Sequence, residues 1–255
     1  MTSPARVNVL GVGVSAVSLT EAVAVIEGWI ATGEHSYVCV CNVHSVMDCR
    51  RSEDLRQVFN AAGLVTPDGM PLVWLGRSKY PGVTRVYGPD LMLAQLEAGV
   101  AQGHRHLFYG GREGVADRLA RRLTERFPKL VIAGTMEPPL ASLDELCTPE
   151  AAAAINAASA DVVWVGIGSP KQDRWMARMR PLLEAPVLIG VGAAFDFHGG
   201  AVRQAPLWMQ RSGLEWLFRL AMEPRRLWRR YLVDNPWFVW EVALQRSGLR
   251  RFEMT

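Results

Sequence analysis

Seven short apolar runs alternate with helix-length segments up to about residue 200, and the alternation then stops. The runs are Val7–Val14, Tyr37–Cys41, the short stretch from Leu64 to Asp68, His106–Tyr109, Leu130–Gly134, Asp161–Val165 and Pro186–Val191. Between them, amphipathic spacing predicts helices over Thr20–Ile30, Ser52–Ala62, Leu91–Gln102, Val115–Phe127, Ala151–Ala158 and Lys171–Arg180. Met136–Pro149 reads as a turn-rich surface loop. Runs that are apolar throughout suit strands buried on both faces. The expectation is an α/β fold: a doubly wound, mostly parallel, Rossmann-like sheet with right-handed crossovers. After Gly199-Gly200 the pattern is helical only, over Pro206–Met222, Arg225–Val233 and Pro236–Arg246. Two domains follow, a sheet domain at 1–200 and a helical appendage at 201–255.

The appendage has its own composition. Between Arg203 and Glu253 there are ten arginines, no lysine, five acidic residues and five of the nine tryptophans. Lysine would serve a solvated face equally well, so its absence favours recognition of phosphate, and tryptophan suits a membrane interface. The whole chain carries a net charge of only +3, which gives no reason to expect nucleic acid as partner. No run reaches the ~20 apolar residues of a membrane-spanning helix, and no signal segment opens the sequence. The expected location is cytoplasmic, with any membrane contact peripheral. Cys39, Cys41, Cys49 and Cys147 show no paired spacing and read as reduced thiols.

Five stretches bear on chemistry. Thr66-Pro67-Asp68-Gly69 puts one carboxylate between two apolar runs, where the strands of an open sheet end. Asp68 is either a turn carboxylate or a partly dehydrated general base. Gly168-Ser169-Pro170-Lys171-Gln172 reads as a capping box with Ser169 as N-cap. The same helix start, with Lys171, would attract an anion. Gly110-Gly111-Arg112 reads first as a tight turn, and more weakly as a similar anion site. Gly11-x-Gly13-x-x-Ala16 has the form of a dinucleotide fingerprint, but no carboxylate ends the second strand at Cys41-Asn42-Val43-His44. In the tail, Arg225/Arg229 and Arg226/Arg230 are spaced to share helix faces. The five histidines lack metal-ligand spacing and no Asp-x-Asp occurs, so neither metal nor cofactor is expected.

Asn42, Thr-Pro-Asp68-Gly, Arg85-Val-x-Gly88, Gly168-Ser-Pro-Lys-Gln172, Phe195-Asp-Phe197 and Gly213-Leu-Glu-Trp-Leu-x-Arg-Leu220 followed by Glu223-Pro-Arg-Arg226 occur in this order. Together they resemble the WecG/TagA/CpsF glycosyltransferases (glycosyltransferase family 26) from about Val7 to Tyr231. The resemblance implies an inverting, metal-independent transferase. It would move a sugar from a UDP-sugar onto a polyprenyl-diphosphate-linked saccharide at the cytoplasmic membrane face. It also implies a base at Asp68, pocket residues at Asn42, Arg85 and Gln172, and donor-phosphate arginines at Arg219, Arg226 and Arg229. Family members are often oligomers, so a homo-oligomer is an open expectation. Where the family often carries Thr-x-Asn and then an acid, this chain has Val40 and His44. N-acetylmannosamine, glucose and a uronic-acid sugar therefore stay open as the donor. Two alternatives compete: a nicotinamide oxidoreductase on the Gly11 fingerprint, and a non-catalytic polyanion- or membrane-binding module on the tail.

Overall fold

The computed structural model describes residues 3–202 and 204–254, with the side chains of Leu207, Arg211 and Arg226 outside that description. Six strands form one parallel sheet: β3 (Ser36–Cys41), β4 (Leu64–Pro67), β5 (Arg105–Gly110), β6 (Val131–Met136), β7 (Val162–Gly166) and β8 (Val187–Gly190). Their order is β4-β3-β8-β7-β5-β6. Alternate residues serve opposite faces. Cys39, Cys41, Val163 and Val165 join one apolar cluster, while Val38, Val162, Trp164 and Ile189 join the other. Helices cover both faces, as runs that are apolar throughout require.

The first expected strand is wrong in kind. Residues 7–14 do not run straight but fold into a separate antiparallel hairpin, β1 (Arg6–Val9) with β2 (Val12–Ser15). The turn puts Leu10 at φ 53° and Gly11 at φ 92°, and Asn8 Oδ1 accepts the Gly11 N–H at 2.8 Å. Glycine at a positive-φ turn position is what a two-residue hairpin demands. The dinucleotide reading falls with it, because that fingerprint needs a strand-to-helix turn in a parallel sheet.

Two further helices flank the cleft end of the sheet. Asn42 caps Val43–Arg51, its Oδ1 accepting from Ser45 N at 3.2 Å, and Met70–Arg77 has proline in its first turn. The loop expected over Met136–Pro149 contains a helical turn, Leu143–Leu146, capped by Ser142.

The tail is helical but segmented. The helix expected over Pro206–Met222 is broken into Leu207–Arg211 and Glu215–Met222, with Gly213 at φ 75°. Pro224–Arg229 leads through a π-helical turn, Arg230–Asp234, into Asn235–Arg246. Pro236 lies in the first turn of that last helix, as expected of a helix over Pro236–Arg246. The tail returns to the hairpin and to helix Val43–Arg51. Asp234 pairs with Arg51, Arg50 Nη2 lies 3.6 Å from Glu241 Oε2, and Gln245 Oε1 accepts the Leu10 N–H at 3.1 Å. Phe238 is buried in the core cluster beneath this contact.

The carboxyl ends of β5 and β7 approach through glycine. Gly110 has φ 132°, and a Cβ there would meet the Gly166 carbonyl carbon at 2.5 Å. Gly110→Ala is expected to cost about 2 kcal/mol or more, by strain and clash together. Chemical denaturation of the variant beside the unaltered protein measures it.

Candidate active site

The strand ends gather around a cleft of about 970 Å³. Asn42 follows β3, Asp68 follows β4, Gly111 follows β5, Gly168 follows β7 and Gly192 follows β8, and all line it. The opposite wall comes from the tail, with Arg219, Arg229, Arg230 and Asp234. Crevices beyond the carboxyl ends of parallel strands are where open α/β sheets bind ligands.

Asp68 is fixed from both sides. Its N–H donates to the Cys41 carbonyl at 2.8 Å, and its own carbonyl accepts from Arg85 Nε at 2.5 Å. Arg85 Nη2 stands 3.5 Å from Asp68 Oδ1, and Asn42 adds a side-chain hydrogen bond to the carboxylate. Only 15% of the Asp68 side chain is exposed. Burial pushes its pKa up to about 6, and the Glu215 charge pushes the same way. Arg85, Arg219 and the Asn42 bond pull it down without cancelling the burial.

Glu215 is the residue that sequence reasoning left without a role. It opens the tail helix Glu215–Met222 and reaches back to the sheet. Its Oε2 takes Arg85 Nη2 at 2.5 Å, and its Oε1 accepts from the Tyr87 hydroxyl at 3.1 Å. Arg85 also lies over the Tyr87 ring, 4.0 Å from the centroid. The same Nη2 that could bind Asp68 tightly is thus held nearer to Glu215. The only signal for it was its place in the Gly213-Leu-Glu-Trp stretch.

Gln172 is almost fully buried on the cleft floor, and its Oε1 finds no hydrogen-bond partner among the described residues. A buried amide oxygen left unpaired is costly, which makes it an acceptor available to a bound molecule. Lys171 lines the cleft with its ammonium donating to the Ala141 carbonyl. Arg219 sits 5.5 Å from the Phe197 ring centroid and also lines the cleft. Arg229 lines it with an exposed side chain, whereas Arg225 does not line it. The side chain of Arg226 and the whole of Arg203 lie outside the described residues.

Two local expectations are corrected. The helix after β7 begins at Lys171 with Pro170 before it, and Ser169 forms no capping box. The Ser169 hydroxyl donates instead to Asp173 Oδ2 at 2.6 Å, and Gln172 N bonds the Gly168 carbonyl. The turn Gly110-Gly111-Arg112 offers no helix start to an anion. Glu137 accepts from Gly114 N at 2.9 Å and Ala116 N at 3.2 Å, so the protein's own carboxylate occupies that place.

The sequence profile described as "Glycosyl transferase WecG/TagA/CpsF family" matches residues 7–252. The chain belongs to this family. Two relatives carry the name N-acetylglucosaminyldiphosphoundecaprenol N-acetyl-beta-D-mannosaminyltransferase. The one from Bacillus subtilis (strain 168) is 29% identical over 203 residues, covering 79% of this chain and 77% of the relative. The one from Bacillus spizizenii (strain ATCC 23059 / NRRL B-14472 / W23) is 28% identical over 198 residues, covering 77% and 75%. The protein is accordingly a glycosyltransferase. The oxidoreductase and non-catalytic alternatives are set aside by this membership and by the hairpin at Gly11.

A carboxylate accepts a proton only when ionised, so a reaction that uses Asp68 in that way is expected to lose kcat/KM as pH drops through about 6. Glu215→Gln removes a negative charge that raises the proton affinity of Asp68. The acid limb should then move down by roughly one pH unit, with kcat reduced about three- to tenfold. The pH profile checks this, and a limb unmoved from its original position would leave Glu215 a packing role alone.

Proposed function

We propose that the protein transfers a sugar from a UDP-sugar to a saccharide carried on a polyprenyl diphosphate, with Asp68 as general base. The observation that carries the reading is a shielded carboxylate of raised pKa in one cleft with the tail arginines Arg219 and Arg229. The acceptor oxygen attacks the anomeric carbon, its proton passes to Asp68, and the bond to UDP breaks with both electrons leaving on the diphosphate. Attack from the face opposite UDP inverts the anomeric configuration. Guanidinium groups take the developing charge, as planar forks suit phosphate oxygens. Asn42 and Arg85 hold Asp68 in place, while Lys171 and the unpaired Gln172 oxygen face the substrate side. Arg226 belongs to the same proposal through its position in the sequence.

The lipid-linked acceptor follows the relatives' names, and N-acetylmannosamine is the first donor to test. His44 stands where the family pattern carries an acid, held between Asp48 at 3.2 Å and Asp234 at 3.3 Å, so a panel of UDP-sugars is the suitable assay. A product of this kind belongs to bacterial cell-wall or exopolysaccharide synthesis.

The division near residue 200 is part of the proposal, with the sheet bringing the base and the appendage the phosphate cations. No described helix is long and apolar enough to cross a membrane. The appendage exposes Trp208, Met222, Leu232, Val239 and Trp240 beside Arg225, Arg229, Arg250 and Arg251. That mixture suits peripheral attachment to an anionic bilayer face.

Asp68→Asn is expected to lower turnover by ~10²–10⁴-fold while UDP affinity stays within about threefold. Because ionised Asp68 is disfavoured by its surroundings, the variant should melt no lower at pH 7.5. Arg219→Ala is expected to weaken UDP by about tenfold as well as slow turnover. Initial rates, UDP titration and thermal melts make the comparison. Turnover retained by Asp68→Asn removes the base from the scheme.

A further inference from the structure

A second cavity of about 620 Å³ adjoins the first. Five residues line both: Asn42, His44, Asp68, Arg219 and Arg230. The walls differ in kind. Met70, Trp74 and Leu75 line it together with Phe238, Val239 and Val242 of the last helix. Trp74 is 56% exposed and Val239 65%, so this apolar wall continues to the surface of the molecule. Arg246, also exposed, belongs to the same lining.

Displacement with inversion needs the attacking oxygen and the leaving diphosphate on opposite sides of one carbon. Two cavities that share Asp68 meet that need, one polar and one apolar. The polar cleft carries Arg229, Lys171 and Gln172, which suit a nucleotide diphosphate. The apolar one joins a hydrocarbon wall to guanidinium groups, which suits a diphosphate attached to a long hydrocarbon. A volume in the ~300–1,000 Å³ range of small-molecule pockets holds the head of such a lipid and not its whole chain. Large apolar side chains left exposed at the opening are what a bilayer-embedded remainder would cover.

We propose that this second cavity is the entry site of the acceptor. It takes the diphosphate and first isoprene units of a polyprenyl carrier and delivers the sugar hydroxyl to Asp68. The inference rests on the transferase reading above and adds to it where each substrate lies.

The test is binding of farnesyl diphosphate to the full-length protein by calorimetry, with inorganic pyrophosphate and UDP as comparisons. Farnesyl diphosphate is expected to bind about tenfold or more tighter than pyrophosphate, since burying even a few methylene groups is worth that much. It should stay bound at saturating UDP. Trp74→Ala and Val239→Glu alter exposed positions on two different helices of the lining, so the fold is retained. Each should weaken farnesyl diphosphate by about tenfold while UDP affinity changes by less than about twofold. Displacement of farnesyl diphosphate by UDP, affinity equal to that of pyrophosphate, or unaltered affinity in both variants would overturn the assignment. Failure of UDP to bind the unaltered protein strikes the donor reading instead, so the two failures are told apart.

Discussion

One guanidinium nitrogen, Nη2 of Arg85, is shared between two carboxylates that the chain brings from far apart. Glu215 lies 2.5 Å away and Asp68 3.5 Å away. All three side chains are largely withdrawn from water, and a buried charge is tolerated only when paired. Arg85 is therefore committed to both partners, and its Nε adds a bond to the Asp68 carbonyl. The sheet supplies Asp68, Arg85 and Tyr87, while the tail supplies Glu215. The sheet part alone would pair Asp68 with Arg85, and Glu215 from the tail draws that guanidinium toward itself. The outcome is a carboxylate that is shielded from water and shares its arginine with a second acid, as the proposed base requires.

The rest of the molecule holds that set in register. Buried on both faces, the parallel sheet brings five strand ends to one rim. Helix Val43–Arg51 starts at that rim with Asn42, whose side-chain Oδ1 caps the helix while the same amide group also stabilises the Asp68 carboxylate. The far end of the same helix presents Arg50 and Arg51 to Glu241 and Asp234 of the tail. His44 bonds Asp234 from the same helix. The helix that begins beside Asp68 thus fastens the appendage from both of its ends, and the two cavities form where these elements meet.

Much of this was legible in the sequence. Apolar runs without alternation specified strands covered on both faces, and Thr66-Pro67-Asp68-Gly69 marked a strand end with a carboxylate. The tail arginines marked the opposite wall through composition alone. What escaped had physical reasons. The hairpin depends on Leu10 and Gly11 both adopting positive φ, which an apolar string hides. Helix Val43–Arg51 is polar enough that its capping asparagine reads as the end of a strand. Ser169 has the spacing of a cap, yet the helix starts one residue later, behind Pro170, and the hydroxyl donates to the buried Asp173. Glu215 finds its partner 130 residues earlier, and no local pattern encodes a contact at that separation.

The proposed proton transfer depends on the proton affinity of Asp68, which can be read directly. A ¹³C NMR titration of its carboxyl carbon, assigned by comparison with Asp68→Asn, should show a midpoint near pH 6 in the complete protein. A midpoint at the ordinary aspartate value of about 4 would mean that the carboxylate is solvated or fully paired with Arg85, and would contradict its assignment as the base.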